Sequence, residues 1–219
     1  MKYKYVLFDM DGTLLNTLDD LTDSCNAAMK YMGFKEHTPD EVKSFINNGA
    51  RRLVTAAVPE GTDEAAIDKT LEFFVRHYRS NVANKTKPYP GITQLLAAIK
   101  ARGMRMAVVS NKFDTAVKYL NEKFFSGLID VAVGERESEG IRKKPHPDTV
   151  FEALRLLDAK ACDCLYSGDS DVDIQTSKNA GVDCLAVSWG FRSRESLEAA
   201  GARFIADSPE DFLNVMDKM

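Results

Sequence analysis

The chain has 219 residues, of which 44% are hydrophobic and 28% are charged. This is enough for one large domain, or for a core domain with a smaller inserted one. The 33 acidic residues outnumber the 29 basic residues, and the basic ones form no block, so the chain is not expected to bind nucleic acid. We expect no membrane segment and no signal peptide, because no apolar run approaches the ~20 residues that cross a bilayer.

The cysteines carry no recognisable metal or disulfide pattern. Cys25, Cys162, Cys164 and Cys184 have spacings that fit no zinc site, and an even number alone does not make a disulfide framework in a chain this long. We expect all four to be buried free thiols, because free cysteine packs as a small apolar residue. A reducing cytoplasm is the location that this pattern predicts.

Short apolar runs typical of buried parallel strands recur along the chain. They span residues 5–8, 104–109, 129–133, 164–166, 184–187 and, more weakly, 204–206. Helical patterns lie between most of them, and three of these end at Gly103, Gly181 and Gly201, where a left-handed residue is wanted. Ser208 followed by Pro209 is typical of a helix start. The alternation predicts an α/β fold with a Rossmann-like, doubly wound parallel sheet.

Residues 17–82 break this alternation, because apolar residues repeat there at helical spacing with no strand-like run between them. This pattern predicts an all-helical insertion. We therefore expect a core domain made of residues 1–15 and 88–219, and a helical cap domain made of residues 16–87. The return to the core passes through Pro88, Pro90 and Gly91, a stiff link that could serve as part of a hinge.

Polar side chains follow several of the predicted strands. Ligands of open α/β sheets bind beyond the carboxyl ends of the strands, so these residues are the candidates for a site. The set comprises Asp9, Asp11 and Gly12 after the first strand, Ser110 and Asn111 after the second, Asp169 and Asp173 after the fourth, and Lys144 ahead of the helix that leads into the fourth.

Several carboxylates at one edge of a sheet would repel each other unless a cation lay among them. Oxygen ligands with no His or Cys nearby suit Mg²⁺, which takes one or two carboxylates and leaves room for water and a substrate phosphate. We expect Asp9 and Asp169 to bind the metal directly, with the Asp11 carbonyl as a third ligand. Asp173 is expected to orient a bound water or a neighbouring ligand.

The remaining groups of the set suit a phosphate dianion. Backbone N–H groups in the turn at Gly12 can form an anion-binding nest, Ser110 and Asn111 can offer hydrogen bonds, and Lys144 can supply a point charge. With the charge of the phosphate neutralised, the Asp9 carboxylate can attack phosphorus and form an aspartyl-phosphate.

These residues, in this order, resemble the haloacid dehalogenase superfamily over the whole chain. Its first motif is matched by Asp9 to Thr13, its second by Ser110, its third by Lys144 and its fourth by Gly168, Asp169 and Asp173. The helical insertion lies where that superfamily places its first type of cap. The resemblance implies that Asp11 is the general acid for the leaving group and later the base that activates water. An acid at Asp11 also implies phosphate ester hydrolysis or phosphomutase chemistry.

Within the superfamily the chain is most similar to phosphoglycolate phosphatases, through Thr17 to Leu21, Pro88 to Ile92, Lys144 to Pro147 and Trp189 to Phe191. The resemblance implies a small phosphorylated metabolite as the ligand, with 2-phosphoglycolate the best single candidate. A phosphomutase of the β-phosphoglucomutase type and an inorganic pyrophosphatase share much of this framework. A catalytically silent regulator that binds a phosphorylated ligand or a protein is the alternative outside catalysis.

One feature of the insertion bears on the substrate. Asn47, Asn48 and Gly49 interrupt the apolar pattern and are followed by Arg51 and Arg52. These arginines could hold a substrate carboxylate in a bidentate way, although an exposed loop and an ordinary basic helix start explain the pattern equally well. Both monomer and homodimer stay open.

Overall fold

A computed structural model describes residues 2–46 and 49–219 of the chain. They form two compact units. One comprises the described residues up to Asn16 together with Pro88–Met219, and the other is Thr17–Lys87. Within the described ranges, no helix combines the length and the apolar character that crossing a bilayer requires.

A six-stranded parallel sheet forms the centre of the first unit. The strands of the described chain are β1 (Tyr5–Phe8), β2 (Leu15–Asn16), β3 (Lys87–Pro88), β4 (Arg105–Phe113), β5 (Val131–Glu135), β6 (Cys164–Gly168), β7 (Asp183–Val187) and β8 (Ile205–Ala206). The sheet has the order β5-β4-β1-β6-β7-β8, with every neighbouring pair parallel. The strand order turns back at β1, which makes the sheet doubly wound and confirms the predicted fold class.

Helices connect the strands of the sheet and also make up the second unit. They are α1 (Leu18–Met32), α2 (Pro39–Phe45), α3 (Ala50–Ala57), α4 (Glu64–Asn81), α5 (Ile92–Ala101), α6 (Asp114–Phe125), α7 (Asp148–Leu157), α8 (Asp171–Ala180), α9 (Arg194–Ala199) and α10 (Pro209–Met216). The predicted helix boundaries at Gly181 and Ser208 are confirmed. Gly181 follows α8 in the left-handed region, and the Ser208 side chain accepts a hydrogen bond from the Asp211 N–H at the start of α10.

The core of the sheet explains its apolar runs. Leu7, Val109 and Tyr166 of three neighbouring strands pack with Val150 and Leu157 of α7, and all five are buried. Strands with helices on both faces have no solvent side, so they read as continuous apolar stretches rather than as alternating ones. Each such large side chain contributes about 1.5 to 3 kcal/mol on burial.

The second strand of the predicted set is longer than its apolar run indicates. β4 continues beyond Val109 to Phe113, and its pairing with β5 is irregular between these two residues. Bulges and register irregularities redirect side chains, often beside active sites, and they leave no mark on the hydrophobic pattern. The irregular stretch contains Ser110, Asn111 and Lys112.

The prediction that all cysteines are buried is wrong at Cys162. Cys25 and Cys164 are buried and Cys184 is partly buried, whereas Cys162 is exposed. It lies in a 3₁₀ turn, Ala161–Asp163, that leads into β6. A turn on the surface offers no apolar surroundings to a thiol.

The described residues of the second unit contain helices α1 to α4, and its last residue, Lys87, begins β3. Leu21 and Met29 of α1 and Ile67 and Phe74 of α4 are among its buried residues. The two ends of this unit are held together by Asp20, whose buried carboxylate accepts hydrogen bonds from the N–H groups of Lys85 and Thr86 at 2.8 to 3.0 Å. Backbone donors of this kind satisfy a carboxylate that burial would otherwise disfavour.

Candidate active site

The turn after β1 brings Asp9 and Asp11 to the edge of the sheet. The Asp9 N–H donates to the Ser167 carbonyl of β6 at 2.8 Å. This hydrogen bond extends the pairing of β1 with β6 by one residue beyond the end of β1. Gly12 adopts a φ of +86°, and its N–H donates to the Leu15 carbonyl at 2.9 Å. A Cβ at Gly12 would overlap the Asp169 carboxylate. The turn therefore needs glycine both for its backbone and for the close approach of β6.

Asp169, at the end of β6, is fixed by hydrogen bonds from two other segments. The Thr13 hydroxyl donates to its Oδ1 at 3.0 Å, and the Phe191 N–H donates to its Oδ2 at 2.7 Å. The Trp189 indole N–H donates to the Thr13 carbonyl at 2.9 Å. A Cβ at Gly190 would overlap both the Asp169 side chain and the Gly12 carbonyl. The loop after β7 is thus part of the site.

None of the residues of this loop was predicted to belong to the site. Its signal was present, because Trp189, Gly190 and Phe191 come just after a strand whose carboxyl end lies at the same edge as the others. The position of the loop against Asp169 depends on the neighbouring register of β6 and β7, which the apolar runs do not show.

Lys144 bridges two carboxylates in a buried cluster. Its Nζ lies 2.8 Å from Asp9 Oδ1 and 2.7 Å from Asp173 Oδ1, and its side chain is 3% exposed. The Tyr166 hydroxyl donates to Asp173 Oδ1 at 3.0 Å, and the Ser170 hydroxyl donates to Oδ2 at 2.6 Å. Asp173 therefore holds Lys144 in place. Tyr166 was not predicted as a site residue, because it lies within an apolar strand run that reads only as core.

Asn111 and Ser110 hold the backbone around this cluster. Asn111 Nδ2 donates to the Lys144 carbonyl at 3.0 Å, and the Lys144 N–H donates to Asn111 Oδ1 at 2.7 Å. The amide that we expected to bind phosphate is thus engaged with the backbone of Lys144, and phosphate binding by Asn111 stays a prediction. The buried Ser110 hydroxyl accepts a hydrogen bond from the Lys112 N–H at 3.2 Å. Accepting this bond leaves its own O–H available to donate.

A second lysine, which follows Ser110 and Asn111 at the end of the second predicted strand but was given no predicted role, is part of the site. Lys112 Nζ lies 3.0 Å from Asp11 Oδ1, and the Lys112 side chain is only 4% exposed. Its signal was its position, two residues after Ser110 at the end of a strand. A lysine at a strand end is more often solvated, so the type of residue did not reveal its burial.

The charges of the cluster suit a divalent cation. Asp9, Asp169 and Asp173 each offer an oxygen, and these oxygens lie within 4.8 Å of one another. With Asp11, four carboxylates face the two ammonium groups of Lys112 and Lys144, which leaves a formal charge of −2. The donors are all oxygens, the ligand type that Mg²⁺ prefers, so the residues present fit this ion.

The pKa values show the electrostatic cost of this arrangement. Burial raises the pKa of Asp9 well above its usual range, and the other carboxylates of the cluster raise it further. Burial and the Asp173 carboxylate raise the pKa of Asp169 to about 7, although hydrogen bonds from Phe191 and Thr13 act to lower it. Burial lowers the pKa of Lys144, but Asp173 and Asp9 outweigh this effect and raise it above its usual value. A divalent cation would lower the pKa of each carboxyl group.

The predicted cap arginines lie on α3 of the helical unit. The Arg51 guanidinium forms ion pairs with Glu64 and Asp68 of α4, each at 2.6 Å. Arg52 is exposed. A role for either in substrate binding stays a prediction, and Asn47 and Asn48 lie outside the described residues.

The chain is similar to curated phosphatases over nearly its full length. It is 34% identical over 215 residues to the phosphoglycolate phosphatase of Aquifex aeolicus (strain VF5), which covers 98% of this chain and 97% of that protein. It is 31% identical over 227 residues to the N-acetylmuramic acid 6-phosphate phosphatase of Pseudomonas aeruginosa, covering 100% and 96% of the two chains.

Solved structures agree with this relationship. A candidate phosphoglycolate phosphatase from Lactobacillus delbrueckii subsp. bulgaricus has a TM-score of 0.91 and 37% identity, over 96% of this chain and 97% of that one. CbbY from Rhodobacter sphaeroides, solved in complex with phosphate, has a TM-score of 0.72 and 27% identity, over 94% and 95% of the two chains. Residues 6–187 match the family model for a haloacid dehalogenase-like hydrolase, a range that contains the acidic cluster and the sheet strands from β1 to β7 except Tyr5. The chain therefore belongs to the haloacid dehalogenase-like hydrolase family and is a phosphatase.

Proposed function

We propose that this phosphatase is Mg²⁺-dependent, that it forms an aspartyl-phosphate on Asp9, and that its substrate is 2-phosphoglycolate. The observation that carries the proposal is the buried cluster in which Lys144 lies 2.8 Å from Asp9 while three carboxylates converge within 4.8 Å. The Asp9 carboxylate is thereby placed between the Lys144 ammonium and a site suited to a divalent cation. Phosphoryl transfer to a carboxylate requires such an arrangement.

Asp9, Asp169 and the Asp11 carbonyl would hold Mg²⁺. Asp173 would support this site by holding Lys144 in place. When bound, Mg²⁺ neutralises charge on the phosphate and helps to place phosphorus in line with the attacking oxygen. The N–H groups of the turn at Gly12, the Ser110 hydroxyl and the Lys144 ammonium would hold the remaining phosphate oxygens. The Asn111 side chain would position Lys144 through its hydrogen bonds to the Lys144 backbone.

The reaction then has two displacements at phosphorus. An Asp9 oxygen attacks phosphorus, the bond to the ester oxygen breaks, and the Asp11 carboxyl gives its proton to the leaving alcohol. Asp11, now ionised, takes a proton from a water molecule that attacks the same phosphorus. The bond to Asp9 breaks, phosphate leaves, and both aspartates return to their starting states.

We further propose that residues 16–87 act as a cap that excludes bulk water while the acyl phosphate forms. Support comes from the separate helical unit, Thr17–Lys87, inserted between β2 and the rest of the core. The choice of 2-phosphoglycolate rests on the curated relatives that carry this name at 34% and 31% identity. The free cysteines are consistent with a cytoplasmic location, which is also part of the proposal.

The test is a comparison of phosphate release from 2-phosphoglycolate, pyrophosphate, N-acetylmuramic acid 6-phosphate, sugar phosphates and nucleoside monophosphates, with and without Mg²⁺. We expect Mg²⁺-dependent release with the highest kcat/KM for 2-phosphoglycolate. A higher kcat/KM for pyrophosphate would identify a pyrophosphatase. Dependence on a sugar bisphosphate with little net phosphate would identify a phosphomutase, and no turnover of any compound would favour a silent binder.

The pKa of Asp169 leads to a prediction on stability. An aspartate ionises at about pH 4 in the unfolded chain, whereas the folded, metal-free protein keeps this proton up to about pH 7. The unfolded state thus binds fewer protons in this window, so stability of the metal-free protein falls as the pH rises from about 4 to about 7. Mg²⁺ binds the ionised carboxylate, so its stabilising effect grows over the same window.

Thermal unfolding with and without Mg²⁺ at the two ends of this window measures the effect. We expect Mg²⁺ to cause a large increase of the Tm at pH values above 7 and a small increase near pH 5. Asp169→Asn should remove most of the Mg²⁺ effect at both values, and Asp171→Asn, on the exposed side of α8, should retain it. An equal Mg²⁺ effect at both pH values would contradict the assignment of Asp169 as a ligand.

Asn111→Ala tests whether this residue acts through Lys144. The substitution removes both hydrogen bonds to the Lys144 backbone, and displacement of a catalytic group by about 1 Å can cost about 10²-fold in rate. We expect kcat to fall by about 10 to 10²-fold while Mg²⁺ still raises the Tm. Asn84→Ala, an exposed position in the helical unit, is the control. Unchanged kcat with a raised KM for phosphate esters would instead show that Asn111 binds substrate directly.

A further inference from the structure

Lys112 is a buried lysine of the site to which the mechanism above gives no role. Its ammonium lies 3.0 Å from the Asp11 carboxylate, and its side chain is 4% exposed. Burial of an ammonium is costly unless an anion accompanies it. A lysine is thus held, at a cost, beside the residue that protonates the leaving group.

The two buried lysines contact different aspartates of the site. Lys144 is bound between Asp9 and Asp173, so its charge acts on the phosphoryl group and its nucleophile. Lys112 is bound to Asp11, which must lie within about 3 Å of the ester oxygen to protonate it. The Lys112 ammonium is therefore a group for the leaving alcohol rather than for the phosphate.

We propose that Lys112 selects phosphate monoesters whose leaving group carries a carboxylate next to the ester-bearing carbon. This inference rests on the proposed function and adds a specificity-determining residue in the core unit. In a phosphorylated 2-hydroxy acid, the carboxylate carbon is two bonds from the ester oxygen. When Asp11 contacts that oxygen, the substrate carboxylate comes within reach of the Lys112 ammonium.

Charge balance in the buried site supports this exchange of partners. In the free protein the Lys112 ammonium is paired with an Asp11 oxygen. A substrate carboxylate can take over that pairing, so the ammonium keeps an anionic partner while Asp11 turns to the ester oxygen. A neutral leaving group brings no anion to the ammonium, so a carboxylate gains a charge–charge attraction there that a neutral group lacks. The chain would thereby discriminate against neutral esters without a contact from the cap arginines.

The experiment compares 2-phosphoglycolate with 2-hydroxyethyl phosphate, which has the same heavy-atom chain but a hydroxymethyl group in place of the carboxylate. We expect the unmodified protein to prefer 2-phosphoglycolate in kcat/KM by at least about 10²-fold, the scale of a buried charge pair. In Lys112→Met this preference should fall by about 10-fold or more, mainly through a raised KM for 2-phosphoglycolate. Lys112→Arg, which keeps the charge, should retain part of the preference.

Lys118→Met is the matched control, since Lys118 is an exposed lysine of α6 that pairs with Asp114. It should leave the preference unchanged. An equal loss on both substrates in Lys112→Met, with the preference intact, would overturn the inference and show that Lys112 only holds Asp11. Loss of the preference in Arg52→Met but not in Lys112→Met would also overturn it.

Two outcomes separate this inference from the proposed function. If the unmodified protein hydrolyses both esters with similar kcat/KM, the inference fails while the phosphatase assignment stands, and this result needs no variant to fold. If neither ester is hydrolysed with Mg²⁺, the proposed function itself fails. Hydrolysis of 2-hydroxyethyl phosphate by Lys112→Met also shows that the variant is folded.

Discussion

Asp9→Asn is expected to abolish Mg²⁺-dependent phosphate release, with a fall in kcat on the order of 10⁵-fold. The amide that replaces the carboxylate is a poor nucleophile and cannot form the acyl phosphate. It is nearly isosteric, so the hydrogen bond from the Asp9 N–H to Ser167 and the turn at Gly12 should persist. Phosphate release with each substrate of the panel measures the effect.

The same variant should not lose stability. Burial and neighbouring carboxylates raise the pKa of Asp9, so its ionised form is unfavourable in the metal-free protein. A neutral side chain relieves this repulsion, while Lys144 keeps its contact with Asp173 at 2.7 Å. We expect an unchanged or higher Tm without Mg²⁺. Asp19→Asn, at an exposed position of α1, is the control for activity. Full turnover by Asp9→Asn would show that another residue is the nucleophile.

Lys144→Met should have the second largest effect, because it damages both the chemistry and the fold of the site. The substitution leaves Asp9 and Asp173 without the cation that lies within 2.8 Å of each. Removal of one partner of a buried charge pair costs about 3 to 5 kcal/mol. Activity should fall by about 10³-fold or more, since the phosphoryl group loses a fixed positive charge.

Denaturant unfolding and phosphate release measure the two effects of Lys144→Met separately. Lys143→Met is the matched control. Lys143 is next to Lys144 in the sequence, but it is partly exposed and pairs with Glu137 rather than with the acidic cluster. We expect that control to stay within about 0.5 kcal/mol of the unmodified protein. A Lys144→Met protein as stable and as active as the control would refute the proposed role of the cluster.

The sheet and its edge could be predicted from the sequence, because buried parallel strands are continuous apolar runs and their ends share one edge. Asp9 and Asp169 lie together for this reason, and Lys144, from the segment before α7, joins them in one cluster. The length of β4 could not be predicted, since its irregular pairing beyond Val109 has no hydrophobic signature.

The supporting residues of the site were harder to foresee. Tyr166 reads as core in an apolar strand, and only the folded chain shows that its hydroxyl meets Asp173. Gly190 approaches Asp169 and Gly12 through the register of neighbouring strands. Lys112 is buried although lysine is mostly exposed in proteins. Such contacts join residues far apart in the sequence, so local pattern does not contain them.

Chemical trapping of the intermediate is the most direct test of the central claim, covalent catalysis by Asp9. The protein would be mixed with 2-phosphoglycolate and Mg²⁺, quenched with acid during turnover and reduced with borohydride, which converts an aspartyl-phosphate into homoserine. We expect homoserine at position 9 in the peptide mass spectrum, and none in Asp9→Asn. Rapid phosphate release with no modified residue, or with the modification at another aspartate, would contradict it.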